Sequence, residues 1–262
     1  MYKKLTLIIT FLVFKTVLAQ LDNSYFAGNK FYCQPKDDKA KEMFQLGMKT
    51  LQFKEYHGAG VRIFTDLITQ DRSFCDAFFM DGYLLDFIGQ TKMAFPLLYT
   101  ADSLAQNKSL EFKSKLATNA IKNNKPDIAM KKFEEMKTYF PENAEGYYGV
   151  ALLSPIFEKY EYGLENINTA IGKYPYRSDD SFFVKAVLLT NLKKYQEAKD
   201  LFENLGGKYK KDENFKIHYS FSLLKISEMN NDEKLKKKSL KIYNSITDKS
   251  SIPDNFKSEF KY

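Results

Sequence analysis

Residues 117–141 read ATNAIKNNKPDIAMKKFEEMKTYFP, and residues 151–175 read ALLSPIFEKYEYGLENINTAIGKYP. Laid one over the other at an offset of 34, Ala117 meets Ala151, Ala129 meets Gly163, and Phe133 meets Ile167. Met136 then meets Ala170, and Pro141 meets Pro175. The two stretches share few identities, yet size and polarity agree column by column. That pattern marks two copies of one packed unit.

The columns continue outward in both directions. Small residues recur at Gly47, Gly82, Ala117, Ala151, Ala186 and Ser220, in steps of 34 or 35. A second small column holds Ala59, Ala94, Ala129, Gly163 and Ala198. Four residues beyond it stand Ile63, Leu98, Phe133, Ile167 and Phe202, and three beyond those Ala101, Met136, Ala170 and Leu205. Each period carries two apolar stripes at helical spacing, separated by a turn. Gly or Ala at a helix crossing lets two backbones approach closely, and the large residue one turn later fills the space beside them. One helix pair cannot bury its own apolar surface, whereas a stack of pairs can.

The pattern resembles the tetratricopeptide repeat family over residues 40–246. The family's large-then-small pair is seen as Leu46-Gly47 and Val150-Ala151, the latter with Tyr147 ahead of it. Its turn tyrosine is seen as Tyr56, Tyr160 and Tyr195, and its closing proline as Pro141 and Pro175. The resemblance implies an all-α, superhelical solenoid of antiparallel helix pairs, about six repeats long. The first repeat departs from it near Gly58–Gly60, where one extra residue makes Phe64 and Leu67 fit the second helix better than Ile63 and Asp66. The sixth has a longer turn at 229–233 and reads as a capping pair. Pro155 should end its helix early, Pro126 suits a first helical turn, and Gly206-Gly207 suits a helix stop.

Outside the array lie three segments. Residues 1–19 read as a secretory signal peptide: Lys3 and Lys4, an apolar run from Leu5 to Phe14, and a small-residue junction at Val17-Leu18-Ala19. Residues 20–39 form a polar lead-in, and residues 247–262 a tail whose Phe256, Phe260 and Tyr262 are candidates to dock back. The apolar run is too short to span a bilayer, and no later stretch does so. Export places the protein in the periplasm or cell envelope of a bacterium, in possible association with an envelope complex. The net charge is +7, with three of the lysines in the leader, and the rest are spread along the chain. That is no nucleic-acid footprint. Cys33 and Cys75, the two cysteines, either form one disulfide, which export permits, or stand as two separate buried thiols.

Catalytic signals are missing. His57 and His218 are far apart in the array, and no metalloprotease pair, phosphate loop or nucleophile elbow occurs. No enzyme, cofactor or metal is expected. The resemblance puts one face of the first helices on the inside of the solenoid. Those positions hold Phe44, Phe79, Ser114, Tyr148, Phe183 and Ile217, and one turn on Met48, Tyr83, Thr118, Leu152, Val187 and Phe221. Phe44, Met48, Phe79, Tyr83, Tyr148, Leu152, Phe183 and Phe221 are therefore the candidate residues for a protein or peptide partner, since aromatic side chains make strong interface anchors. The competing reading makes the same row core, buried between repeats or under the tail. A scaffold or adaptor is the function expected. A carbohydrate-binding or enzymatic helical envelope protein is the alternative, and a structural part of an outer-membrane assembly is a third possibility.

Overall fold

The computed structural model describes residues 23–26, 30–175 and 178–260. The leader at 1–19 lies outside them, as do Tyr176, Arg177 and Tyr262. After a short turn of helix, α1 (Asn23–Phe26), come six antiparallel pairs. They are α2 (Asp38–Lys49) with α3 (His57–Gln70), α4 (Cys75–Phe87) with α5 (Thr91–Leu104), and α6 (Leu110–Lys122) with α7 (Pro126–Tyr139). Then follow α8 (Ala144–Leu153) with α9 (Tyr160–Lys173), α10 (Asp179–Asn191) with α11 (Tyr195–Glu203), and α12 (Glu213–Asn230) with α13 (Glu233–Asn244). A last short helix, α14 (Asp254–Lys257), lies in the tail. There is no strand among the described residues. The chain divides into two compact units, one ending at Pro141 and the other running on from Glu142. Three helix pairs fall in each.

Local chemistry sets the helix ends. Five of the six first helices start at a side-chain cap; α4 follows Phe74, which provides none. Ser109 accepts from Phe112 N–H, Asn143 from Glu145 N–H, Ser178 from Ser181 N–H and Asp212 from Phe215 N–H. These four caps keep the period of the small columns, and each satisfies an N–H that the helix cannot. The turns between paired helices keep it too. Gly89, Asn124, Glu158 and Lys193 all adopt left-handed φ, at 88°, 56°, 56° and 61°. The next residue's N–H then reaches back to a helix carbonyl: Gln90 to Leu85, Lys125 to Ala120, Lys159 to Ser154, Lys194 to Leu189. This is the Schellman end. Pro155 stops α8, and Ser154–Phe157 continues as one 3₁₀ turn. The first pair is joined differently, through the 3₁₀ turns Thr50–Gln52 and Lys54–Tyr56.

The crossings explain the small columns. A Cβ on Gly82 would lie 2.9 Å from Leu98 Cγ, and one on Gly47 would lie 2.6 Å from the Phe64 ring. On Gly163 it would meet Ser154 Cβ at 2.7 Å and Leu188 at 2.8 Å; on Gly60, Thr50 Oγ1 at 2.2 Å and Leu84 at 2.7 Å. Gly60 and Gly163 thus do the same job in different repeats. The first repeat's small column therefore passes through buried Gly60 rather than half-buried Ala59, and its large column through Phe64 rather than half-buried Ile63. The longer turn between α2 and α3 shifts the register by one. Leu46 is exposed, because the position that faces a preceding repeat has none before it among the described residues.

Candidate functional site

Each unit carries its own candidate face, on α2, α4 and α6 in the N-terminal unit and on α8, α10 and α12 in the C-terminal one. Each helix is held by its pairing, so its inward positions are fixed by the same periodic crossings. The structure places Phe44, Met48, Phe79, Tyr148, Leu152, Phe183 and Phe221 in buried positions, with Tyr83 half-buried. Ser114, Thr118 and Ile217 are also buried, and Val187 is half-buried. Within the N-terminal unit, Phe44, Phe79 and Met48 share one core cluster, with Tyr83 packed against it. In the C-terminal unit, Phe183 belongs to one cluster and Phe221 to another.

The covering rings come largely from segments outside the repeat period. In the N-terminal unit, Tyr25 of α1 sits edge-on to Phe79 at 5.7 Å and to Phe112 at 5.8 Å, while Phe26 lies 5.5 Å from Tyr83. Phe31 lies 5.2 Å from Phe44. In the C-terminal unit, Tyr209, on the loop before α12, stacks on Phe183 at 5.6 Å. Phe256 of α14 stacks on Phe221 at 3.7 Å, nearly parallel. Phe260 stacks on Tyr243 at 3.9 Å. Tyr25, Phe26, Phe31 and Tyr209 had no periodic signal to announce them. Their only mark in the sequence is aromatic content in stretches otherwise polar.

Polar groups fasten these covers. Asp76 opens α4 and accepts the backbone N–H of Cys33 at 2.8 Å and of Tyr32 at 3.2 Å. Burial pushes its carboxyl up to about 6 despite those donors. Tyr32 donates its hydroxyl to Glu111 at 2.5 Å. Burial and that carboxylate push the Tyr32 phenol up to about 12. Cys33 and Cys75 are joined as a disulfide with Cα atoms 5.6 Å apart. With Asp76 they form the one group of potential metal-ligating atoms found among the described residues. The two sulfurs are bonded to each other, and the carboxylate is engaged by backbone donors. Tyr209 donates its hydroxyl to Asp180, and burial with that neighbour drives its phenol well above the ordinary value.

Beside Tyr83 the face turns charged. Lys115 holds its ammonium 4.6 Å over the Tyr83 ring, a cation–π contact. It pairs with Asp86 at 2.7 Å, as does Lys122, while Asn119 donates to the other Asp86 oxygen at 2.9 Å. Against the cost of its own burial, the Lys115 and Lys122 ammoniums hold Asp86 below its ordinary value. The charges are thus spent within the chain. His57 and His218 lie in different units and form no constellation. His57 packs under Phe87, ring to ring at 5.0 Å. His218 donates Nδ1–H to the Asn214 carbonyl at 3.0 Å. Among the described residues no helix is long and apolar enough to cross a membrane.

No family model matches the sequence, and no curated protein matches it. Solved structures do. A tetratricopeptide repeat protein from Parabacteroides merdae is 12% identical with a TM-score of 0.61, covering 86% of this chain and 98% of its own. PilF of Pseudomonas aeruginosa is 15% identical with a TM-score of 0.58, covering 86% of this chain and 100% of its own. YrrB, described as a tetratricopeptide repeat protein with an unusual peptide-binding site, is 15% identical with a TM-score of 0.55, covering 70% of this chain and 93% of its own. At such identities the likeness concerns architecture alone, and it agrees with the periodic crossings, caps and turns: the chain has the tetratricopeptide repeat fold.

Proposed function

We propose that this protein is a non-enzymatic scaffold that binds a protein or peptide partner on the first-helix face, in a bacterial cell envelope. The observation that carries the reading is the covering itself. In the N-terminal unit Tyr25 covers Phe79, and in the C-terminal unit Tyr209 and Phe256 cover Phe183 and Phe221. A face that takes aromatic side chains from its own chain has the shape and chemistry to take them from another. YrrB, whose description includes a peptide-binding site, lends support by analogy of fold. The leader-like N-terminus and the disulfide favour an exported, envelope setting.

A photo-crosslinking residue at position 83 tests this, with position 131 on α7 as the exposed control. Tyr83 is half-buried on the face, and Lys131 is exposed elsewhere. A discrete cross-linked protein from position 83 and none from position 131 is the expected result. Equal labelling from both positions, or none from either with and without a dithiol reductant, rejects the face. The sugar-binding and enzymatic alternatives have no specific observation in their favour.

A further inference from the structure

The N-terminal segment is more than a loose lead. Tyr25 inserts among Phe79, Phe112 and Tyr32, and Phe31 lies against Phe44 and Phe74 at 5.2 and 5.9 Å. Tyr25 is wholly buried. The polar fastening is confined to one end: two backbone N–H groups on Asp76, one hydroxyl on Glu111, and the covalent tie from Cys33 to Cys75. These polar and covalent ties on residues 32–33 converge on the start of α4 and α6, while Phe31 packs also on Phe44 of α2. The repeats themselves are built from other contacts, the small-residue crossings of α2 to α7.

We propose that residues 23–26 and 30–33 are a built-in occupant of the first-helix face in the N-terminal unit, latched by the Cys33–Cys75 disulfide, and that a dithiol reductant opens the face to an aromatic peptide of a partner. The inference rests on the binding-face reading above and adds its regulation. The strap itself defines the peptide: adjacent aromatic residues on a helical turn, then a second aromatic pair. Half-buried Cys33 offers the accessible sulfur, whereas Cys75 is fully buried. One thiolate of the reductant attacks Cys33 Sγ. The Cys33–Cys75 bond breaks, a mixed disulfide forms, and Cys75 leaves with the electron pair and takes a proton. The second thiol of the reductant then closes on the first sulfur, releasing Cys33 as a thiol and leaving the reductant oxidised. The Asp76 carboxylate lies 3.5 Å from Cys75 Sγ. A like charge there disfavours the leaving thiolate, and it is the ring-closing second thiol of a dithiol that carries the exchange to completion.

Two measurements on the full chain test this, each with and without dithiothreitol. The first is amide hydrogen exchange. Reduction should speed exchange at Tyr32 and Cys33 at least about tenfold, while α4, α5 and α6 keep their protection. The second is fluorescence anisotropy with a labelled peptide of residues 21–32. It should bind the reduced chain at least about tenfold more tightly than the oxidised one. A Cys33→Ser chain should behave as the reduced form without reductant. Equal peptide binding to both redox forms overturns the latch and leaves the binding face standing. Opening of the strap with binding to neither form overturns the face and the latch's purpose together. Loss of protection throughout α4–α6 on reduction makes the disulfide a structural staple and overturns the proposal.

Discussion

Gly47 and Gly58 are both helical glycines in the first repeat, and they predict opposite outcomes. A methyl at Gly47 meets the Phe64 ring at 2.6 Å, and Phe64 is wholly buried and has nowhere to move. Gly47→Ala should cost about 1–3 kcal/mol through overpacking. Gly58 has nothing within 4 Å of an added Cβ, so Gly58→Ala should gain about 0.4–1 kcal/mol by restricting the unfolded chain. Urea midpoints of the two variants decide it. Titration adds a signed prediction. Burial raises the Asp81 carboxyl from its ordinary 3.8 to about 6, even with the Thr65 hydroxyl donated to it at 2.9 Å. Between those values the folded chain holds the proton more tightly than the unfolded one. Stability from this group is therefore full at acid pH and lost as pH rises through 6. Asp81→Asn should stabilise by roughly 1–2 kcal/mol at pH 8 and by nothing at pH 4. His218 has the opposite sign: burial lowers it from 6.5 to about 4, so its contribution is lost as pH falls through that window. Urea titrations of wild type and Asp81→Asn across pH 4–8 check the first; the second shows as an acid sensitivity that His218→Gln removes.

At the scale of elements, the turns between paired helices make the testable case. Gly89 occupies its left-handed φ without penalty, but Lys193 and Glu158 carry side chains there. Lys193→Gly and Glu158→Gly should each stabilise by about 0.5–1 kcal/mol, and Gly89→Ala should cost about as much, read from thermal melting. The sequence pattern showed the helix pairs clearly, because small residues at crossings are a steric demand that no other residue meets. It did not show the turns. Asn124, Glu158 and Lys193 share no chemistry, and only the phase they keep with Gly89 reveals a common backbone. The caps Ser109, Asn143, Ser178 and Asp212 keep that same phase but did not stand out in the sequence, since Ser, Asn and Asp are common outside caps as well. In the first repeat, Ala59 and Gly60 are both small and adjacent, and the length of the preceding turn puts Gly60, where a Cβ would meet Leu84 at 2.7 Å, at the crossing. The aromatic row was legible as a row, with burial between repeats or under the tail as one of its two readings, but the other covering rings were not. Tyr25, Phe31 and Tyr209 lie outside the period, and an aperiodic contact leaves no trace in a periodic pattern.

For the molecule as a whole, the division at Pro141 and Glu142 makes the tail's effect local. Ile252 and Phe256 are buried against Ile217, Phe221 and Ile246, with Tyr195 and Tyr243 beside them. All of these residues belong to the C-terminal unit. Burying one Ile and one Phe side chain contributes roughly 3–6 kcal/mol together, and extended-chain bookkeeping makes that an upper range. Removal of residues 247–262 should lower the stability of the C-terminal unit by a few kcal/mol and expose α12, since its Phe221 loses a stacked ring at 3.7 Å. The N-terminal unit has its own core around Phe44, Phe79 and Phe112, none of it supplied by the tail, and its protection should be unchanged. Hydrogen exchange on the truncated chain distinguishes the two, with α12 and α13 as reporters on one side and α4 and α6 on the other. Equal loss of protection at all four helices would mean that the chain unfolds as one cooperative body, and the argument from separate cores would fail. Phe256→Ala gives the same test with less removed: it should cost about 3–5 kcal/mol as a buried aromatic truncation, confined again to α12 and α13.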